Sequence, residues 1–235
     1  MSKEFIHSSE NIVKGKKFAY DRHNTRINKM RNPFEYDHYL IIDVNTSSVY
    51  WKGMPQLPRL VQIGWILTDK NFSKIKSDSL IIQPAGFIIP KDGTKFHGIT
   101  TEKALSEGVE IGRAIDRLER DVFPFLDDIN LIAYDSDFIV DIIKNEYNYL
   151  KPTGVLPAMP LKLFQFSSPS HSSLREMAKP IIPGQSKKHG EYPLLSEIYK
   201  YLFNAPIDTH NDVLKDAEVI RICCEKLSKI MYLKT

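Results

Sequence analysis

A chain of 235 residues, 42% apolar and 26% charged, can bury a sizeable core and is ordinary in composition, which excludes a wholly disordered protein and favours one domain with decorations. Its net charge of +3 is unevenly placed: residues 1–37 carry eight Lys or Arg against five Asp or Glu, and the remainder is balanced. No apolar run approaches the roughly 18–20 residues that span a bilayer, so a membrane is not an expected partner.

The opening MSKEFIHSSE has no apolar signal core, and the only cysteines, Cys223 and Cys224, are neighbours poorly placed to bridge each other or build a zinc site. A cytoplasmic, reducing location is expected, with both thiols as packing. Residues 1–37 show no sustained periodicity and read as a basic arm or extension, with the folded domain over 38–235. Within 11–32, Lys14, Lys16, Lys17, Arg22, Arg26, Lys29 and Arg31 face Asp21 alone. Such a segment would neutralise phosphates, or would simply be a solvated tail.

From Tyr39 the sequence turns to structure-forming patterns. YLIIDV is a short apolar run ending in a carboxylate and reads as a buried strand. YWKGMPQLP is a loop whose Tyr50 and Trp51 would stack bases or staple the loop itself. RLVQIGWIL is a second strand, Asp69 to Phe72 a polar turn, and SLIIQP a third strand. Thr100 and Thr101 offer N-cap chemistry before KALSEG, and Ile111, Ala114, Ile115, Leu118 and Val122 repeat at helical spacing until Pro124. NLIAY is a fourth strand, Phe138 to Tyr147 a helix, and LKLFQF (161–166) a fifth strand. Loops are expected over 167–173 and 180–190, and helices over Leu195–Phe203 and Val213–Leu227. Three strands followed by alternating helices and strands predict an α/β fold, a mixed five-stranded sheet flanked by helices.

Two carboxylates stand out within this frame. Asp43 ends the first strand, where open α/β sheets place their ligands; a turn-capping role is the alternative. Asp216 borders the stripe Val213, Ala217, Ile220 and Cys224 in the last helix, where it would either point into a cleft or pair with a basic side chain. Gln62, on the second strand, is expected to satisfy a backbone group.

Taken in order, YLIIDVN, RLVQIGWIL, IIQP…FIIPKDGTKFHGITTEKALSEG, NLIAYDSDF, the helix PLLSEIYKYLF and the terminal HNDVLKDAEVI resemble the DEDDh 3′–5′ exonucleases, the family of the proofreading epsilon subunit and of RNase T. The resemblance runs from about Tyr39 to Leu227, and the segment His97–Thr100 is its most distinctive piece. It implies an RNase H-like fold and four carboxylates holding two divalent cations, Mg or Mn, about 3.5–4 Å apart for an in-line displacement. It also implies a His general base five residues before the last Asp.

Residue by residue, the family pattern is only partly kept. Asp43 matches the first Asp, but Asn45 stands at the Glu position. Tyr134 aligns with the second motif's His and Asp135 with its Asn, while Ile139 occupies the position of the metal-binding Asp. Asp216 matches the last Asp; five residues before it lies Asn211, with His210 one residue further. The expected set is therefore Asp43, Asn45 and Asp216 for metal, His210 or Asn211 for the base, and Tyr134 and His97 on the substrate side, His97 having helix capping as its alternative. Asp135, Asp137 and Asp141 are candidate rescue ligands; Asp135 and Asp137 have N-capping of the following helix as their alternative role. Two carboxylates against two divalent ions predict at most one weakly bound ion. The expected function is a pseudo-exonuclease that binds single-stranded nucleic-acid ends or a protein partner. The alternatives are a weak or re-ligated two-metal exonuclease and an assembly protein that kept the fold.

Overall fold

The computed structural model describes residues 31–49, 56–150, 171–182, 192–207 and 212–232. Five strands form one sheet in the order β3-β2-β1-β4-β5. β1 (His38–Thr46) pairs antiparallel with β2 (Leu60–Asp69), which pairs antiparallel with β3 (Lys74–Ile81). On its other side β1 runs parallel to β4 (Ile129–Ala133), and β4 runs parallel to β5 (His171–Ser173). Seven helices flank the sheet among the described residues: α1 (Lys91–His97), α2 (Thr101–Glu107), α3 (Ile111–Val122), α4 (Ser136–Leu150), α5 (Leu174–Ala178), α6 (Leu195–Phe203) and α7 (Val213–Tyr232). This is the mixed, helix-flanked α/β architecture expected from sequence.

Strand alternation divides the core into two layers. Leu40 and Ile42 of β1 join one apolar cluster with Leu118 of α3 and Ile142 and Ile143 of α4. Tyr39 and Ile41 join the other, with Ile198 of α6 and the stripe Ala217, Ile220 and Cys224 of α7. Cys223 and Cys224 are both fully buried and reduced. Asp43 continues the face that carries Tyr39 and Ile41, so it meets α7.

Several elements differ from the sequence-based expectation. β3 starts at Lys74 rather than near Ser79, because as an edge strand it carries polar residues that mask its pattern. α1 was not expected; Gly93 and the short length conceal it. β5 comes from residues read as a Ser-rich loop, held to β4 by Leu131 opposite His171 and Ala133 opposite Ser173. The strand expected over 161–166 lies outside the described residues, as do Tyr50, Trp51 and the arm up to residue 30.

Residues 31–37, read from sequence with the arm, pack on the domain. Phe34 and Tyr36 are buried. Phe34 meets Phe72 edge-on with centroids 6.1 Å apart, Asn130 Nδ2 donates to the Pro33 carbonyl at 2.9 Å, and Arg31 pairs with both carboxylate oxygens of Asp128. Asp128 immediately precedes β4, at the end of the sheet remote from Asp43.

Candidate functional site

Asp43 and Asn45 leave β1 on one face, two residues apart, near its C-terminal end. α7 begins against this face. Asp43 is opposite Gly64 in the β1–β2 register, and a Cβ on Gly64 would lie only 2.6 Å from Cγ2 of Val213. The bare backbone at Gly64 therefore lets the first turn of α7 seat on the sheet, which brings Asp216 to Asp43. Asp212 anchors that turn by accepting a hydrogen bond from the Leu214 amide at 2.9 Å.

The two carboxylates oppose each other electrostatically. Burial, reinforced by the Asp216 charge, pushes Asp43 up to about 8. Burial, reinforced by the Asp212 charge, pushes Asp216 up to about 6. Asp216 Oδ1 is buried and has no hydrogen-bond partner among the described residues, whereas the Asp43 carboxyl takes a hydrogen bond from the Val44 backbone. Asn45 stands opposite Gln62 and donates from Nδ2 to Gln62 Oε1 at 2.9 Å. Gln62 thus serves a side-chain amide, not the backbone group expected from sequence.

α1 lies beside this end of β1. A Cβ on Gly93 would come within 2.3 Å of the Ser47 carbonyl oxygen, so the helix lies directly on the chain leaving β1. His97 rests against the Thr46 backbone, and its Nδ1 accepts from the Ile99 amide at 3.1 Å; burial holds its imidazole below the ordinary range. The cap of α2 is Thr100, whose hydroxyl accepts from the Lys103 amide.

The β4 side carries the second motif. Ile41 is opposite Ile132, so Tyr134 reaches the level of Asp43 two residues later. Its hydroxyl donates to the Pro193 carbonyl at 2.9 Å, and burial pushes the phenol up to about 12. Asp135 caps α4 by accepting from the Phe138 amide and pairs with Arg175 at 2.5 Å; Arg175 is 4% exposed and stacks over Tyr192. Asp137 lies inside the first turn of α4 rather than capping it, 3.7 Å from His171 Nδ1. Asp141 is half-buried one turn further along. Ile139 is 3% exposed in the apolar cluster of Leu40 and Ile42. Asp135 is therefore held in a buried ion pair, and breaking such a pair strands a buried charge.

Among the described residues no group of three His, Cys, Asp or Glu side chains stands together in a metal-holding arrangement. His210 and Asn211 lie outside those residues. Asp43 and Asp216 are brought together, with Asn45 two residues along the same strand face, and all three carry oxygens of the kind magnesium and manganese take. The unpartnered Asp216 oxygen and the raised affinity of both acids for protons are what a cation would relieve. Asp43 and Asp216 bring two negative charges, and charge balance for two divalent ions needs acids that these residues do not supply.

The fold is that of the RNase H-like exonucleases. The structure is similar to a 3′-exonuclease solved for its 3′-end-specific recognition of a histone mRNA stem-loop, with a TM-score of 0.66 at 10% identity over 83% of both chains. It is similar to the nuclease domain of 3′hExo, a DEDDh family member bound to rAMP, with a TM-score of 0.63 at 11% identity over 83% of this chain and 94% of that one. Zinc-bound E. coli exonuclease I with single-stranded DNA gives a TM-score of 0.59 at 17% identity over 82% of this chain; the match spans 41% of that enzyme. The sequence matches no protein-family model and no curated protein. Among the described residues no helix is long and apolar enough to cross a membrane.

Proposed function

We propose that this chain is an exonuclease-fold domain that holds the 3′ ends of single-stranded nucleic acid in a cleft with at most one divalent cation, without efficient cleavage. Ile139 carries the reading: where the DEDDh resemblance calls for a metal-binding carboxylate, an isoleucine is packed into the apolar core. Two-metal hydrolysis needs a symmetric clamp on the attacking and leaving oxygens. Asp43 and Asp216 supply two negative charges toward the four positive charges of such a pair. One candidate substitute, Asp135, is paired with Arg175. Similarity of fold to proteins solved with single-stranded DNA and rAMP supports nucleic acid as the ligand class.

The test is incubation of the full chain with end-labelled single-stranded DNA and RNA in Mg²⁺ or Mn²⁺, with Asp43→Ala as control. Retarded but unshortened strands are expected. Shortening that disappears in Asp43→Ala would establish a re-ligated exonuclease instead. Absence of binding to both nucleic acids would favour an assembly role.

A further inference from the structure

We infer that Tyr149, backed by the Arg59 guanidinium, is a platform on which a base of single-stranded nucleic acid stacks, beyond the end of β1 that carries Asp43. The inference rests on the nucleic-acid reading above and names a place where the strand is gripped.

The platform is built outward from the end of β1. The Ser47 amide donates to the Arg59 carbonyl at 2.8 Å, and Ser47 Oγ accepts from the Arg59 amide at 3.0 Å. Ser47 is four residues beyond Asp43, about 13 Å along an extended chain. Arg59 Nε and Nη2 donate to the two carboxylate oxygens of the buried Glu146 at 2.7 and 2.9 Å, and the Leu60 amide donates to the same carboxylate at 2.8 Å. This two-point bond fixes the guanidinium and neutralises its charge, which leaves its flat face for aromatic contact. Arg59 Cζ lies over two rings, 4.5 Å from the Phe87 centroid and 4.3 Å from that of Tyr149.

The two rings have different surroundings. Phe87 packs against the buried cluster of Val61, Ile89, Ile99 and Ala104. Tyr149 is 38% exposed, although Arg59 covers one face of its ring and its hydroxyl donates to Gln56 Oε1 at 3.0 Å. Shielding Arg59 needs only apolar bulk, whereas stacking a base needs an aromatic ring held in place. Val49 and Ile88, near Ser47 and Phe87 in sequence, are exposed apolar residues beside it. Lys91 and Lys95 stand on either side of Gly93, which lies on the Ser47 carbonyl, and both are exposed. They supply the positive charge that phosphates between stacked bases require. The Asp92 partner of Lys95, at 3.4 Å, is a solvent-exposed pair of little strength that a phosphate can replace.

The experiment titrates the full chain into 5′-labelled single-stranded dA and rA oligonucleotides in Mg²⁺, read by fluorescence anisotropy, with strand length checked on gels. Tyr149→Leu keeps apolar bulk over Arg59 but removes the ring, and should bind about tenfold more weakly. Tyr149→Phe keeps the ring and should bind as the wild type does. A single abasic nucleotide moved along the strand should weaken wild-type binding at an internal position, away from the 3′ end, and should cost nothing more there in Tyr149→Leu. Equal binding by Tyr149→Leu and wild type, or equal losses in Tyr149→Leu and Tyr149→Phe, would overturn the inference. Melting temperatures check folding; should Tyr149→Leu fail to fold, the wild-type scan decides, and a profile flat away from the 3′ end would overturn the platform. Absence of wild-type binding to both strands would refute the nucleic-acid reading itself, whereas binding without the Tyr149 effect would refute the platform alone.

Discussion

Asp43→Asn removes one of the two opposed carboxylates and should stabilise the protein at neutral pH when divalent cations are absent. In the folded chain Asp43 is pushed from 3.8 up to about 8, so it retains a proton that the unfolded chain has lost. Between about pH 4 and pH 8 the folded state binds more protons than the unfolded state, and stability falls as pH rises. Asp216, raised to about 6, adds to the slope below pH 6. The Asp43 shift corresponds to a cost on the order of a few kcal/mol at pH 7. Carboxylates held low by basic partners, such as Glu218 beside Arg221, act in the opposite sense but only below their ordinary range, outside this window. Urea unfolding in EDTA at pH 5, 7 and 8.5 should show wild-type stability falling toward pH 8.5 and a flatter profile for Asp43→Asn. Saturating Mn²⁺ should reverse the order at pH 7, because it binds only the folded wild type. Parallel pH profiles for the two proteins in EDTA would refute the reasoning.

Gly64→Ala should destabilise the fold by about 1–3 kcal/mol through overpacking against Val213, read by urea unfolding, and should weaken Mn²⁺ binding as the start of α7 is displaced, read by calorimetric titration. Arg175→Met should cost about 3–5 kcal/mol by leaving Asp135 charged and buried, and adding Asp135→Asn should recover most of it in urea titrations. Deleting residues 1–30, while retaining the buried Phe34 and Tyr36, should weaken nucleic-acid binding. Its seven basic residues set an upper limit of about 5 on the loss in log–log salt slope, a loss that anisotropy titrations at several salt concentrations would detect.

Much of the fold is legible because its central elements announce themselves in apolar pattern. YLIIDV, RLVQIGWIL and NLIAY are buried strands, and the stripe Val213, Ala217, Ile220 and Cys224 is fully buried in α7. The parts that were not legible depend on partners distant in sequence. His171–Ser173 has no apolar run and is a strand only because β4 lies beside it. β3 begins with KIKSDS, whose polar residues belong to a sheet edge. Residues 31–37 gain their place from Asp128, Asn130 and Phe72, about 40 to 100 positions away. In the cleft, spacing relative to the family motifs singled out Asp43 and Asp216, and alternation put Asn45 beside Asp43. Neither the Arg175 partner of Asp135 nor the Gln62 partner of Asn45 could be read locally, because strand register and helix docking create both pairs.

The most direct test of the account is the number of Mn²⁺ ions bound per chain when a nucleoside monophosphate is present to supply phosphate oxygens. Electron paramagnetic resonance at saturating Mn²⁺ should give one specific ion, lost in Asp216→Asn and in Asp43→Asn. Two specific ions with the spin coupling expected at about 3.5–4 Å separation would contradict the account and restore a two-metal nuclease.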